Sequence, residues 1–217
     1  RHDTTRHDTT RHDTTRHDTT KIVDENHVLQ QAFLNELDEK LWSSADKLRQ
    51  QLDAANYKHI VLGLIFLKYI SDSFTHQQEK IQAELSDPEN PLYLDRAFYD
   101  TDEEYQEALT VELENRDYYT ADNVFWVPQQ ARWDEIKAVS ILNIGAELPW
   151  GGKFSGVAKL IDDAFDAIEK DNEKLKGVLQ RISGYAVNED TLRGLIILFS
   201  DTHFTRPTYN GEPVHLG

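Results

Sequence analysis

A chain of 217 residues is long enough for one domain or two small ones. Its formal net charge of −16 excludes attraction of DNA by the overall field, so any DNA contact requires a local basic face or a basic partner. The absence of cysteine excludes disulfides and thiolate metal sites, and the five histidines outside the first 20 residues show no metal-ligand spacing. The densest apolar run, residues 60–67, is too short to span a bilayer, which takes roughly 20 residues. We therefore expect a cytoplasmic protein without a membrane or metal site.

The first 20 residues are four perfect copies of Arg-His-Asp-Thr-Thr. The repeat has no apolar face to bury, so we expect an arm that is extended or at best marginally helical. If the coding DNA repeats every five bases, the codons force the unit CGACA, because CGA, CAC, GAC, ACG and ACA encode this peptide with no choice left. We interpret residues 1–20 as a phase-variation tract that slips during copying; an engineered tag is the alternative.

Apolar periodicity from residue 21 onward predicts a mainly α fold, a helical bundle. A first helix is expected around residues 29–41, followed by a break at Ser43 and Ser44, where Ser43 and Asp46 resemble a capping box. Asp53 is the expected N-cap of a central helix that is apolar nearly all round from residue 57 to residue 70. Its polar continuation, residues 76–85, is expected to extend into solvent.

The second half of the chain shows shorter elements. Residues 86–91 predict a loop, and Thr101 with Glu104 forms a capping box before a helix that ends near Asn115. Residues 123–128 predict a small extended, β-like element, and helices are expected at 133–139, 157–168 and 192–199. The four tryptophans are expected in the core. We divide the chain into the repeat arm (1–20), a helical domain (21–205) and a linker (206–217).

Five ordered segments resemble the N-terminal domain of the methylation subunits of type I restriction–modification systems. They are residues 41–49, 57–72, 125–128, 131–133 and 174–179. The most specific is the second, Tyr-Lys-His-Ile-Val-Leu-Gly-Leu-Ile-Phe-Leu-Lys-Tyr-Ile-Ser-Asp. The resemblance covers roughly residues 27–217. It implies a helical module that closes around DNA within an S-adenosylmethionine-dependent adenine-N6 DNA methyltransferase. Two such subunits join one specificity subunit, to which restriction subunits can add.

The resemblance also implies catalytic and cofactor motifs that we do not find in this chain. The family's Asn-Pro-Pro-Phe/Tyr motif is approached only by Asn90-Pro91-Leu92-Tyr93, which lacks the second proline and is expected in a loop. The glycine cluster at residues 151–156 precedes a helix, where an anion can bind, but a plain helix-start turn is the favoured interpretation. We therefore expect no catalytic, cofactor or metal residue here, and a linker leading to a separate methyltransferase domain that binds the cofactor.

Six basic residues flank the family segments and are our candidates for DNA or subunit contacts: Lys47, Arg49, Lys58, Lys68, Arg132 and Lys137. By contrast, residues 84–122 are strongly acidic, with thirteen acidic and two basic side chains. This acidic stretch is expected to be a solvated face or to dock on a basic partner. The alternative function is accordingly that of an acidic helical binding protein that mimics DNA or docks on a DNA-binding protein.

The repeat makes a genetic prediction. Each five-base unit gained or lost shifts the reading frame, so only changes in multiples of three units restore it. Clones sorted by repeat number should therefore split into methylating and non-methylating classes with a period of three. One pentapeptide more or less should change the free energy of unfolding by no more than about 0.5 kcal/mol. Codons that vary between copies, when the tract is sequenced, would contradict the slippage interpretation.

Overall fold

The computed structural model describes residues 39–50 and 52–202, together with the backbone of residues 208–209 and 212–213. The predicted mainly α fold is confirmed for these ranges. Its helices are α1 (Glu39–Asp46), α2 (Ala54–Ser86), α3 (Asp102–Leu113), α4 (Asp117–Thr120), α5 (Trp133–Val139), α6 (Val157–Asp171) and α7 (Glu189–Ser200). Short 3-10 helices lie at Arg96–Phe98, Gln129–Ala131, Glu173–Leu175 and Ser183–Tyr185. Strands β1 (Thr208–Tyr209) and β2 (Glu212–Pro213) form an antiparallel pair.

Helix α2 is the central element, and α3, α4, α5 and α7 pack against it. Its predicted N-cap is confirmed, because the Asp53 carboxylate accepts hydrogen bonds from the backbone N–H groups of Ala55 and Asn56 at 3.1 and 3.2 Å. Most residues from 60 to 71 are buried, as their apolar character predicts. The polar continuation of α2, residues 76–85, was expected in solvent but is partly buried. Gln77, Ile81 and Leu85 are buried at helical spacing, because α3 and α4 cover this side of α2.

The break predicted at Ser43 and Ser44 is wrong, since α1 runs through both residues and ends at Asp46. Burial of the α1 face overrides the local capping signal: Ala45 is fully buried, and its carbonyl accepts a hydrogen bond from the Tyr57 hydroxyl of α2. The turn that follows α1 packs on α7. The earlier part of the predicted first helix, before residue 39, lies outside the described residues.

The extended element predicted at residues 123–128 is not a strand; residues 124–128 are an irregular segment. The side chain of Asn172, just after α6, takes the place of a neighbouring strand. Its Nδ2 donates to the Trp126 carbonyl at 2.9 Å, and its Oδ1 accepts from the Trp126 N–H at 3.2 Å. Since one amide side chain satisfies both backbone groups, the segment needs no second strand. The apolar and aromatic residues of this segment predicted an extended backbone, but Trp126 and Val127 are both buried and do not show the alternating burial of a strand.

Helices α3, α5, α6 and α7 lie where the sequence patterns predict them, whereas the short α4 was not predicted. The Thr101 hydroxyl accepts from the Glu104 N–H at 3.2 Å at the start of α3, as the capping box predicts. The apolar faces of α6 and α7 are buried against each other and against the loops between them. Trp126 and Trp133 are buried, and Trp42 and Trp150 pack against the core from partly exposed positions. The expected core role of the tryptophans is thus confirmed.

The Asn172 amide should be essential for stability. Asn172→Leu keeps a side chain of similar size but leaves the two backbone groups of Trp126 without their partners, so we expect the free energy of unfolding to fall by about 2 kcal/mol. Urea denaturation monitored by circular dichroism measures this change. The matched control is Asn143→Ala, at an exposed loop position whose side chain makes no hydrogen bond to a described residue. Equal stability of the two variants would contradict the role given to Asn172.

Candidate functional site

Three of the six basic candidates lie exposed on the surface, namely Lys47, Lys58 and Lys137. None of the three forms an ion pair with another residue in the described part of the chain. Their charges are therefore available to an external anion. Lys47 follows α1, Lys58 lies in the first turns of α2, and Lys137 lies in the last turn of α5.

Two of these three lysines, Lys47 and Lys137, are close in sequence to residues that contact the first half of α7, and we call the three together the α7 lysines. Leu48, next to Lys47, packs on Gly194, and its carbonyl accepts a hydrogen bond from the Thr191 hydroxyl at 3.3 Å. On the side of α5, the Arg193 guanidinium donates to the Ser140 carbonyl at 2.9 Å, one turn beyond Lys137. Lys58 follows Tyr57, whose hydroxyl binds α1. The segments that carry Lys47 and Lys137 thus both contact α7.

Gly194 allows this close approach. A Cβ atom at this position would lie 3.2 Å from Cδ1 of Leu48, which is tighter than an ordinary van der Waals contact. The turn that carries Lys47 is therefore held against α7 because α7 has no side chain there. Sequence periodicity identified α7 as apolar but gave no signal for this contact.

Arg49 and Lys68 are engaged within the protein. Arg49 pairs with Asp46 one helical turn earlier, at 3.7 Å. Lys68 is only 3% exposed, and its ammonium group contacts both carboxylate oxygens of Asp72 at 2.6 Å. The same ammonium lies 5.9 Å from the ring centre of Trp133. Lys68 thus helps to join α2 to α5 and is not presented on the surface of the described residues.

Arg132 is held in an aromatic cluster formed by Phe74, Tyr119 and Trp126, whose ring centroids lie 4.6 to 5.3 Å apart. The guanidinium carbon lies 4.7 Å from the Phe74 ring centre and 5.8 Å from that of Trp126. Its Nε donates to the Val127 carbonyl at 3.0 Å, and its NH2 contacts Glu114 at 3.1 Å. Burial in this cluster raises the pKa of Tyr119 to about 12. Arg132 therefore connects core segments, a role that its sequence position did not reveal.

The acidic stretch 84–122 lies mainly on the surface around α3, where Leu109 is the buried residue. Part of its charge is balanced locally. Asp102 pairs with Arg96, and Asp122 pairs with Lys80 at 2.9 Å. The hydrogen bonds from Lys80 and Gln77 hold the pKa of the Asp122 carboxyl below its usual value. Large hydrophobic side chains are also exposed in this stretch, and the most exposed of them are Phe98 at 85% and Val111 at 70%.

The partial motif at Asn90 lies in the turn after α2. Asn90 Oδ1 accepts a hydrogen bond from the Leu92 N–H at 2.9 Å, and the Asn90 carbonyl accepts from the Tyr93 N–H. The side-chain oxygen thus closes a local turn of the kind that asparagine favours. The segment follows a helix, and the structure agrees with the loop interpretation.

The glycine cluster forms a tight hairpin before α6, with a bridge between Glu147 and Lys153. Gly156 has a φ of +118°, and the helix begins at the next residue. The first N–H groups of α6 are bound by the Glu189 carboxylate, at 2.5 Å from the Val157 nitrogen and 3.4 Å from the Ala158 nitrogen. The anion at this helix start is therefore a side chain of α7. Sequence reasoning missed it because 32 residues separate the partners.

Two further findings bear on the sequence expectations. Within residues 39–50 and 52–202, no group of three or more histidine, aspartate or glutamate side chains has an arrangement suited to a metal ion. None of the helices described above combines the length and apolar character needed to cross a membrane.

Comparison with known protein families shows a match over residues 37–199 to the HsdM N-terminal domain. This match spans more than half of the chain. The chain belongs to the HsdM N-terminal domain family. The family resemblance identified from the sequence segments is thus confirmed, and the α7 lysines, the Arg132 cluster and the Glu189 contact all lie within the matched region.

Two relatives of this HsdM N-terminal domain carry related names. Over 91 residues the chain is 90% identical to the type I restriction enzyme HindI methylase subunit of Haemophilus influenzae, covering 42% of the chain and 20% of that protein. Over 149 residues it is 33% identical to the type I restriction enzyme MjaIX methylase subunit of Methanocaldococcus jannaschii, covering 68% of the chain and 23% of that protein. The matches span about a fifth to a quarter of these relatives.

The Glu189 contact can be tested by substitution. Glu189→Ala leaves the first N–H groups of α6 without their carboxylate, so we expect the free energy of unfolding to fall by about 1–2 kcal/mol. Glu189→Gln keeps an acceptor oxygen but loses the charge, and should lie between this variant and the wild type.

The control is Asp190→Asn, at the neighbouring position in α7. Asp190 is highly exposed and pairs with Arg193 at 3.3 Å, so its loss should change stability by less than about 1 kcal/mol. Thermal denaturation of the three variants checks the order. A Glu189→Ala protein as stable as the control would show that the carboxylate does not stabilise the start of α6.

Proposed function

We propose that this chain is the DNA-clamping and subunit-interaction module of a type I restriction–modification methylation subunit. The parent protein methylates the adenine N6 of a specific DNA site with S-adenosylmethionine in the cytoplasm. Its partners are DNA, a specificity subunit, a second methylation subunit and, in some assemblies, a restriction subunit. The observation that carries this proposal is the family match over residues 37–199, together with the names of both relatives.

The charge distribution supports a role in holding DNA. The chain is strongly acidic, yet the α7 lysines are exposed and make no ion pair within the described region. Lysine side chains that contact phosphates position a protein on DNA without reading its sequence. This suits a module whose DNA target is selected by another subunit. Lys58 lies on the central α2, and Lys137 lies on α5, which packs on α2, so these two lysines project from a fixed base.

The glycine cluster does not fit a cofactor role. A site for S-adenosylmethionine would need a glycine-rich turn after a strand of an α/β sheet. Here the turn belongs to a hairpin, and the helix start that follows it is bound by Glu189. We propose that cofactor binding and methyl transfer belong to a separate domain of the parent protein.

The alternative function, that of an acidic protein that mimics DNA, receives less support. The acidic stretch is balanced in part by Arg96, Lys80 and Arg132, each bound to an acidic side chain within the fold. We propose that the remaining charge forms a solvated face of the methyltransferase module.

The α7 lysines provide the test. Lys58→Glu combined with Lys137→Glu, in the full-length subunit assembled with its specificity subunit, should weaken DNA binding and methyl transfer while leaving assembly intact. The slope of log affinity against log salt should become shallower by about 0.9 for each DNA phosphate that the variant no longer binds. The contrasting variant is Arg132→Gln, which should destabilise the fold through the aromatic cluster. Unchanged affinity and an unchanged slope in the double variant would contradict the proposed DNA contact.

A further inference from the structure

Three lysines lie within seven residues at the carboxyl end of α6, and we call them the α6 lysines: Lys170, Lys174 and Lys176. All three are exposed, and none forms an ion pair with another described residue. Lys170 lies in the last turn of the helix, where a cation stabilises the helix dipole. Lys174 and Lys176 lie beyond the helix, so the dipole does not account for them.

The acidic side chains around these lysines are bound by other cations. Asp171 contacts the Arg116 guanidinium at 3.2 Å, and Glu169 contacts the Arg181 guanidinium at 3.0 Å. Arg181 also pairs with Asp166 at 2.5 Å. Among the acidic residues from 166 to 176, Glu173 is the one with no ion pair to the described residues. The two arginines bind three of the four acidic side chains and offset two of their charges, so that together with the three lysines this cluster carries a small net positive charge in a chain of net charge −16.

The segment that carries the lysines is anchored to the core. Leu175 and Leu179 are buried on either side of Lys176, and the Leu179 N–H donates to Glu169 at 3.3 Å. Asn172 binds the backbone of Trp126. Between these anchors Gly177 turns the chain with a φ of +77°, and nothing lies within 4 Å of where its Cβ would be. The turn is thus fixed at its base and open on its outer side.

We propose that the α6 lysines, with Lys174 and Lys176 as the main contacts, bind backbone phosphates of duplex DNA. This inference rests on the proposed DNA-clamping function and extends it to residues outside the α7 lysines. Duplex DNA is the ligand chemistry that fits, because its phosphates form a regular, dense row of negative charge. A turn that is already ordered loses little conformational entropy when its lysines meet such a row.

The α6 lysines form a group separate from the α7 lysines. Helix α6 has 15 residues and is therefore about 22 Å long. Glu189 ties its amino end to the start of α7, whereas the α6 lysines lie at its carboxyl end and in the turn beyond. Substitutions in the two groups can therefore be tested independently.

The test neutralises the two lysines beyond the helix. The test variant combines Lys174→Gln with Lys176→Gln in the full-length methylation subunit assembled with its specificity subunit. The slope of log affinity for duplex DNA against log salt should become shallower by about 1.8, or 0.9 for each lysine. The charge-preserving pair Lys174→Arg with Lys176→Arg should keep the wild-type slope. The matched control is Lys153→Gln in the hairpin before α6, an exposed lysine that makes no ion pair within the described residues and should leave the slope unchanged.

The outcomes separate this inference from the proposed function. If the α7 double variant lowers the salt slope and the Lys174, Lys176 variant does not, the proposed function stands and this inference is overturned. If neither changes the slope, both fail. A variant that assembles less well with the specificity subunit but keeps the wild-type slope would assign the α6 lysines to a protein partner, which also overturns the inference. Identical melting temperatures of the glutamine and arginine variants confirm that the folds are comparable.

Discussion

The contact of the Arg132 guanidinium with the rings of Phe74 and Trp126 joins the central helix to the segments that lie between α3 and α5. Phe74 belongs to the central helix, Trp126 to the irregular segment, and Arg132 to the start of α5. Through Glu114 the same cation reaches the end of α3. A cation placed between aromatic faces and a carboxylate is stabilised by both, and its planar group makes directed hydrogen bonds at the same time. Each segment therefore depends on this contact for its position relative to α2.

The use of positive charge inside the fold follows from the acidity of the chain. Arginine side chains bind carboxylates at the junctions between elements: Arg116 joins α4 to the end of α6, and Arg181 joins the following loop to α6. Arginine suits this role because its guanidinium binds carboxylates through two directed contacts. Most of the lysines with no ion pair in the described part of the chain lie instead at helix ends and in turns. In the described residues, arginines thus mainly join elements of the fold, whereas the lysines without an ion pair lie mainly on the surface.

Sequence patterns predicted the helices well because an amphipathic helix is encoded by neighbouring residues. The caps at Asp53 and Thr101 were found for the same reason, since each acts on backbone groups two or three positions away. What could not be predicted depends on distant partners. The Trp126 backbone is satisfied by Asn172, 46 residues later, and the burial of α1 against Tyr57 suppressed the break expected at Ser43. Local propensity was overridden by tertiary contacts in both places.

The basic candidates also differ in whether their surroundings could be predicted from nearby residues. Lys47, Lys58 and Lys137 were expected at the surface and lie there, whereas Lys68 and Arg132 are held by partners that no spacing in the sequence indicates. Lys174 and Lys176 lie within a segment that resembles the family, yet they were not among the six candidates. That Arg116 and Arg181 bind Asp166, Glu169 and Asp171 depends on contacts that the sequence does not indicate.

The carboxylate that Glu189 places at the start of α6 has a consequence for the protein in its cell. Exposed helix starts attract inorganic phosphate and nucleotides, which are abundant metabolites. Here the position is filled by a covalently attached group, whose local concentration exceeds that of any diffusing anion. The junction between α6 and α7 should therefore keep the same geometry whether the cell is rich or poor in phosphate. The start of α6 is in this respect insulated from changes in the concentration of free phosphate.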